Sequence, residues 1–95
     1  MALTFEWDAR KDAANQQKHG VSFKEASTVF GDPLAWFRAD DAHSLQEERF
    51  FLLGRSAHDR LLAVLFTQRG AELIRIISAR RATPRERRKY EEDFR

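Results

Sequence analysis

The sequence predicts one α+β domain spanning residues 1–95, in which helices cover one face of an antiparallel sheet of about four to five strands. Apolar segments between Phe50 and Ser78 are joined by connections too short for a crossover helix, which predicts an antiparallel meander. Two helical patterns precede these strands and a third follows them, and each begins at a recognisable capping residue.

The N-terminal third begins with a short strand and a helix. Leu3–Trp7 alternates apolar and polar side chains, which predicts a half-buried strand. Asp8 then caps a helix over Ala9–Lys18, which ends at Gly20. Trp7 is expected to lie in the core.

A second helix is predicted directly after the first. Ser22 and Glu25 form the S-x-x-E pattern of a capping box, in which two free backbone N–H groups are satisfied reciprocally. Apolar side chains follow at near-helical spacing, and Gly31-Asp32-Pro33 ends the helix.

The remainder predicts four strands and one helix. The strands are Leu34–Arg38, Phe50–Leu53, Leu61–Phe66 and Leu73–Ser78, with a polar loop over Ala39–Glu47, a hairpin loop over Gly54–Asp59 and a turn over Gln68–Ala71. Thr83-Pro84-Arg85-Glu86 then predicts a helix that runs to about Asp93, because it combines a capping Thr, Pro at the first helical position and Glu at the third.

The charge is unevenly distributed along the chain. The formal net charge is +2, yet residues 1–48 carry 5 basic and 9 acidic side chains, and residues 49–95 carry 12 and 6. A concentrated basic end indicates a polyanionic partner, or an acidic protein that covers it. The longest apolar run, Leu61–Phe66, is too short to span a membrane, and the N-terminus lacks a signal pattern, so a cytoplasmic protein without a membrane partner is expected.

Several familiar kinds of site find no support in the sequence. Cysteine is absent, and neither nucleotide-binding glycine pattern occurs. Asp40, Asp41 and His43 share one loop and could hold a hard divalent ion, but a solvated acidic loop is favoured, so neither a metal nor a cofactor is expected.

The clustered arginines suit metal-free cleavage of RNA. The ribose 2′-OH supplies the nucleophile, so the enzyme must orient it, remove its proton, stabilise the anionic phosphorane and protonate the leaving oxygen. Guanidinium groups stabilise such charge, and His, Glu or Tyr can move the protons. DNA lacks the 2′-OH and would be bound without being cut by this route.

The order of short motifs resembles one known family. The motifs are Trp7-Asp8, Asn15, Lys18-His19-Gly20-Val21-Ser22-Phe23, Glu25-Ala26, Glu48-Arg49-Phe50, Gly54-Arg55-Ser56, Arg75–Thr83, Glu86-Arg87 and Tyr90. Together they resemble BrnT-type toxins over nearly the whole chain. The resemblance implies a RelE-like ribonuclease fold and a type II toxin–antitoxin toxin that inhibits translation and growth. It also implies a BrnA-type antitoxin with a ribbon-helix-helix domain, through which the complex binds operator DNA.

The candidate catalytic residues are assigned as hypotheses. Arg80 and Arg81 end the last strand, where either could stabilise the phosphorane, although alternation allows at most one of them on a given sheet face. Arg75 lies between apolar neighbours and requires either a polar groove or an acid partner, for which Glu48 is the candidate.

Three further residues could move protons. His19 is the best candidate for a general acid–base on chemical grounds, although a cation at the end of a helix also opposes the helix dipole, which is a structural reason for its position. Glu86 is also the capping-box acid, and Tyr90 equally suits docking of the last helix onto the sheet. The residues expected to bind RNA are Lys18, Arg55, Arg85, Arg88 and Lys89.

Two other functions stay open at this point. One is a non-catalytic nucleic-acid-binding module, although no helix-turn-helix, RNP or zinc-finger pattern occurs. The other is a protein-interaction domain that acts as a co-repressor with a DNA-binding partner. The nuclease hypothesis requires the C-terminal guanidinium groups to share one concave surface.

Overall fold

The computed structural model describes residues 2–41 and 47–92. The helices and strands are β1 (Thr4–Glu6), α1 (Ala9–His19), α2 (Phe23–Thr28), β2 (Trp36–Ala39), β3 (Phe50–Arg55), β4 (Leu61–Gln68), β5 (Leu73–Arg81) and α3 (Pro84–Glu92). A 3₁₀ turn over Val29–Gly31 extends α2. The predicted α+β class and the order of elements are confirmed. Part of the predicted Ala39–Glu47 loop, including His43, lies outside the described residues.

The sheet is mixed, with the strand order β1-β5-β4-β3-β2. The neighbours from β2 to β5 are antiparallel. For β3, β4 and β5 this confirms the meander that their two short connections predict. β1 instead pairs parallel to β5, with Glu6 opposite Arg75. The prediction of a wholly antiparallel sheet is therefore wrong for β1. The helices α1 and α2 connect β1 to β2 at the opposite edge of the sheet, and β1 pairs with the last strand, β5.

Both faces of the sheet are apolar and both are covered. On the face named here the α2 face, Phe23 and Val29 pack against Leu52 and Val64. On the opposite face, named here the α3 face, Tyr90 packs among Phe51, Leu53, Leu61 and Ala63. The expectation that all helices lie on one face is wrong, because successive residues of β3 and β4 are apolar on both sides of the pleat.

The helix ends largely follow the sequence. Asp8 Oδ1 accepts hydrogen bonds from the backbone N–H groups of Arg10 and Lys11, and Gly20 ends α1 with φ 69°. The Ser22 cap forms, since its Oγ accepts from the N–H of Glu25. The predicted reciprocal half of that capping box is wrong, because the Glu25 carboxylate instead accepts hydrogen bonds from Ser56 and Arg60.

Gly54 is a strand residue and not the start of a loop. A Cβ atom here would lie 2.9 Å from the Cβ of Ala35 and 3.0 Å from both Asp32 Oδ2 and Val29 Cγ1. Only glycine allows β3 to approach the 3₁₀ turn this closely. The approach places Asp32 Oδ2 2.8 Å from the backbone N of Arg55, which donates to it.

β1 pairs only with the first residues of β5. Further along β5, the Asn15 side chain binds the strand's backbone at Ala79. The Asn15 carboxamide accepts from the Ala79 N–H at 3.2 Å and donates to the Ala79 carbonyl at 2.8 Å, so it mimics a neighbouring strand. This contact fixes α1 along β5. Among the described residues, no helix is long and apolar enough to cross a membrane.

Candidate functional site

A hollow of about 250 Å³ opens on the part of the α3 face beside α3. Its polar lining comes from strands far apart in sequence and from the first turn of α3. The polar lining side chains are Arg38, Asp40, Ser78, Arg80 and Glu86. Phe51 and Leu65 form part of its apolar floor.

Arg80 and Glu86 form a two-point ion pair in this hollow. Arg80 Nη1 donates to Glu86 Oε1 at 2.7 Å, and Nη2 donates to Oε2 at 2.9 Å. The same carboxylate accepts from the N–H of Thr83 at 2.9 Å, and the Thr83 hydroxyl accepts from the N–H of Glu86, which completes the predicted capping box. The hydrogen bonds from Arg80 hold the pKa of Glu86 below its usual value, and Glu86 in turn raises the pKa of Arg80. Both groups are therefore charged at neutral pH.

Part of the Arg80 guanidinium remains available for a ligand. Nη1 donates its second N–H to the Arg81 carbonyl oxygen at 3.2 Å. Within the described part of the chain, the Nε–H and the second Nη2–H have no acceptor. These two groups form one side of the guanidinium, the geometry that binds two phosphate oxygens at once.

Arg38 is a site residue that the sequence reasoning missed. Its Cζ lies 4.7 Å from the ring centroid of Phe51 and 5.8 Å from that of Trp36. No carboxylate oxygen of the described residues lies within 4.0 Å of its guanidinium. The spacing Trp-x-Arg in a predicted strand was the available signal, because it places Trp36 and Arg38 on one face.

The other two candidate arginines of β5 have different surroundings. Arg81 is exposed and lies opposite Leu62, whereas Arg80 lies opposite Ala63, so the two point to opposite faces as strand alternation requires. Arg75 lies on the α3 face, because its neighbours Ile74 and Ile76 point into the core on the α2 face. Its acid partner is Glu6 at 3.0 Å and not Glu48, a correction that follows from the parallel pairing of β1 with β5.

Tyr90 is the buried residue of α3 and packs between this helix and the sheet. Its hydroxyl donates to Asp32 Oδ2 at 2.6 Å, and burial, followed by the hydrogen bond to Asp32, raises its pKa to about 12. The Arg55 guanidinium carbon lies 5.8 Å from the Tyr90 ring centroid. This environment favours the docking role of Tyr90, because a phenol that ionises near pH 12 is a poor proton carrier at neutral pH.

The structure does not bring the end of α1 to the hollow. Lys18 is exposed and His19 half-buried in the last turn of α1, and no described residue of α1 lines the hollow.

His58 lies near Glu25, with Nδ1 3.9 Å from Oε1. In residues 2–41 and 47–92, no cluster of three His, Cys, Asp or Glu could hold a metal ion.

The remaining basic candidates lie on the exposed side of α3. Arg85, Arg88 and Lys89 are exposed, and Lys89 Nζ lies 5.1 Å from the Trp36 ring centroid, beside the hollow. The hollow itself contains two guanidinium groups and two carboxylates, so the excess positive charge lies around it. The expected convergence of guanidinium groups therefore holds for Arg80, with Arg38 as its neighbour, and not for Arg81.

Two comparisons with known proteins agree. Residues 7–86 match a family model described as ribonuclease toxin, BrnT, of type II toxin–antitoxin system. The fold is similar to the crystal structure of the Brucella abortus ribonuclease toxin, BrnT, with a TM-score of 0.67 and 25% identity. That likeness covers 86% of this chain and 99% of the Brucella chain. No curated protein matches the chain.

Proposed function

Because this chain belongs to the BrnT family of ribonuclease toxins of type II toxin–antitoxin systems, we propose that it cleaves RNA in the hollow on the α3 face, using the ribose 2′-OH and no metal ion. The observation that carries the proposal is the Arg80–Glu86 pair. The carboxylate fixes the guanidinium end-on, and this leaves the Nε–H and one Nη2–H directed away from Glu86. A phosphate bound at these two groups meets a donor pair that is already oriented.

The reaction is a transesterification within the RNA chain. The 2′-oxygen attacks the adjacent phosphorus, the P–O5′ bond breaks, and the products end in a 2′,3′-cyclic phosphate and a 5′-hydroxyl. Arg80 stabilises the charge that develops on the phosphorane oxygens, with Arg38 as a second cation in the hollow. Fixed guanidinium groups thereby supply the charge that a metal ion supplies in other nucleases.

Proton transfer is assigned to Asp40, one of the two carboxylates that line the hollow. The other, Glu86, has both oxygens bound by Arg80 and a lowered pKa, so it stays ionised and orients the guanidinium. Asp40 accepts the proton of the 2′-OH and then passes it to the leaving 5′-oxygen, so the carboxylate is regenerated at the end of the step. Tyr90 and His19 act outside this chemistry, since neither lines the hollow.

Cleavage assays with matched RNA and DNA test the reaction. Purified protein is incubated in EDTA with an RNA, the DNA of the same sequence and the RNA carrying 2′-O-methyl groups. We expect cleavage of the unmodified RNA alone, with cyclic phosphate ends. Cleavage of the DNA, or loss of RNA cleavage in EDTA that Mg²⁺ restores, would contradict the proposed reaction.

The proposed partner is a BrnA-type ribbon-helix-helix antitoxin. Exposed cations on α3, among them Arg85, Arg88 and Lys89, suit an acidic segment of that protein. We expect the product of a neighbouring open reading frame to restore growth when expressed with this chain. We also expect operator DNA to be bound by the complex and not by this chain alone.

A further inference from the structure

One rim of the hollow carries two cations on aromatic rings. Trp36 and Phe51 meet edge to face, with ring centroids 6.0 Å apart and an interplanar angle of 75°. Arg38 lies over both rings and Lys89 over Trp36. These four residues are named the aromatic ledge. The ledge is continuous with the hollow, because Arg38 and Phe51 also line it.

The ledge is not neutralised by neighbouring acids. Among the described residues, neither Arg38 nor Lys89 lies within 4.0 Å of a carboxylate oxygen, although six other arginines do. Within residues 2–41 and 47–92, Arg38 makes one hydrogen bond, a long one of 3.4 Å to the Ala39 carbonyl oxygen. Its guanidinium therefore rests on the Phe51 ring while remaining exposed to solvent.

A planar cation on an aromatic ring suits one class of ligand. Nucleobases stack on arginine planes and aromatic rings in single-stranded RNA complexes, because each base offers a polarisable face. A second cation beside the stack attracts the phosphate of the same strand. A carboxylate ligand would bind the cations but would gain nothing from the rings.

We propose that the aromatic ledge stacks the base of a nucleotide next to the phosphate that Arg80 binds. This inference rests on the proposed function, and it makes Arg38 a positioning residue that acts by stacking as well as by charge. The base fixes the strand on the ledge, so the neighbouring phosphate enters the hollow in register with Arg80. Because stacking is tolerant of sequence, the ledge selects single-stranded RNA without selecting one base strictly.

The test measures binding without cleavage. Fluorescence anisotropy gives the dissociation constants of a labelled 2′-O-methyl trinucleotide and of three versions that each lack one base. We expect removal of one particular base to weaken binding about fivefold or more, the lower range for one stacked base, and removal of the others to matter less. Equal affinities for all four oligonucleotides would overturn the proposal.

Variants of Arg38 separate stacking from charge. Arg38→Lys keeps the charge without the plane, so it should lose the base-dependent part of the affinity and still bind the oligonucleotide that lacks that base as the native protein does. Arg38→Gln should weaken binding to both. Arg10→Gln, which removes an exposed charge from α1, should change neither. A base-dependent affinity that survives Arg38→Lys would reject the proposed stacking of the base on Arg38.

The outcome is independent of the nuclease activity. If the native protein binds the complete trinucleotide in a base-dependent way but does not cut unmodified RNA, the reaction fails and the ledge stands as a binding site. If it cuts RNA but binds the four oligonucleotides equally, the ledge fails and the reaction stands.

Discussion

Glu86 holds Arg80 end-on, with 2.7 and 2.9 Å between the paired nitrogen and oxygen atoms. The contact joins the end of β5 to the first turn of α3, so the same carboxylate caps a helix and orients a guanidinium. Its oxygens bind Nη1 and Nη2, and the side of the guanidinium that includes Nε is left for a phosphate. This geometry makes Glu86 more than a capping residue.

Glu86→Gln tests the orienting role. The amide can still accept a hydrogen bond from Thr83, but it offers Arg80 one oxygen and no charge. RNA cleavage is expected to fall roughly tenfold or more, yet less than the 10²–10³-fold typical when a charge-stabilising donor is lost. The free energy of unfolding should fall by only about 1 kcal/mol, because Arg80 is 40% exposed and solvent weakens the pair.

Glu91→Gln is the matched control on α3. It breaks the exposed pair between Arg87 and Glu91, whose atoms are 4.0 Å apart, and removes the same charge from the same helix. Cleavage should be unchanged. Equal losses in the two variants would assign the effect to the charge of α3 and not to the position of Arg80.

Tyr90→Phe separates docking from proton transfer. The substitution removes the hydroxyl that donates to Asp32 and keeps the ring that packs on the sheet. Urea unfolding should show a loss of about 1–2 kcal/mol, since a hydrogen bond to a carboxylate is lost. Cleavage by the folded fraction at pH 7 should match the native protein. A native-like free energy of unfolding with abolished cleavage would make Tyr90 a catalytic residue.

Local signals predicted most of the fold. These signals are the capping residues Asp8, Ser22 and Thr83 and the apolar patterns of the strands. Each acts between residues that are close in sequence, so the sequence alone could predict its effect. The positions of β1 and α3 depend instead on pairing and packing between distant segments. In the sequence, only the apolar side chains on both faces of β3 and β4 indicated that a helix would cover the face opposite α2.

The site was harder to predict than the fold. Arg80 and Glu86 lie six residues apart, and the capping pattern placed Glu86 at the start of α3. Arg38 comes from β2, three positions away from β5 in the sheet, and its role depends on the ring of Phe51 beneath it. Glu6 pairs with Arg75 only because β1 runs parallel to β5. Such long-range contacts leave no local pattern in one sequence.

Glu25→Gln should make stability less sensitive to acid. Glu25 is buried and accepts from Ser56 Oγ at 2.7 Å and from Arg60 Nε at 2.9 Å, with a further hydrogen bond from Arg60 Nη2. The hydrogen bonds from Arg60 hold the pKa of Glu25 below its ordinary value of 4.5. A carboxyl with a lowered folded-state pKa contributes stability above pH 4.5 and loses it as the pH falls through the folded value.

The measurement is urea unfolding of both proteins between pH 7 and pH 3. At pH 7 the variant should be less stable by about 2 kcal/mol, the usual size for hydrogen bonds to a charged group. The difference should shrink as the pH falls below 4.5. A difference that stays constant over this range would show that Glu25 contributes by packing and not by its charge.

Gly54→Ala tests the close approach of β3 to the 3₁₀ turn. The new methyl group would lie 2.9–3.0 Å from side-chain atoms of Ala35, Asp32 and Val29. The side chains of Ala35 and Val29 are short and cannot move aside easily. Such overpacking should lower the free energy of unfolding by about 1–3 kcal/mol. Gly31→Ala is the control in the same turn, because nothing lies within 4 Å of its added Cβ, and a loss of equal size there would contradict the steric explanation.

The adjacent residues Arg80 and Arg81 should differ sharply in function. Arg80 lines the hollow, whereas Arg81 is exposed on the opposite side of the strand, so Arg80→Ala removes the phosphate donors and Arg81→Ala removes only a surface charge. We expect RNA cleavage to fall about 10²–10³-fold in the first variant and less than about threefold in the second. Growth inhibition on expression should follow the same order, with unfolding measurements to confirm that both variants are folded. Retained toxicity in Arg80→Ala together with its loss in Arg81→Ala would move the reaction to the other face of the sheet, because alternation prevents the two side chains from sharing one surface.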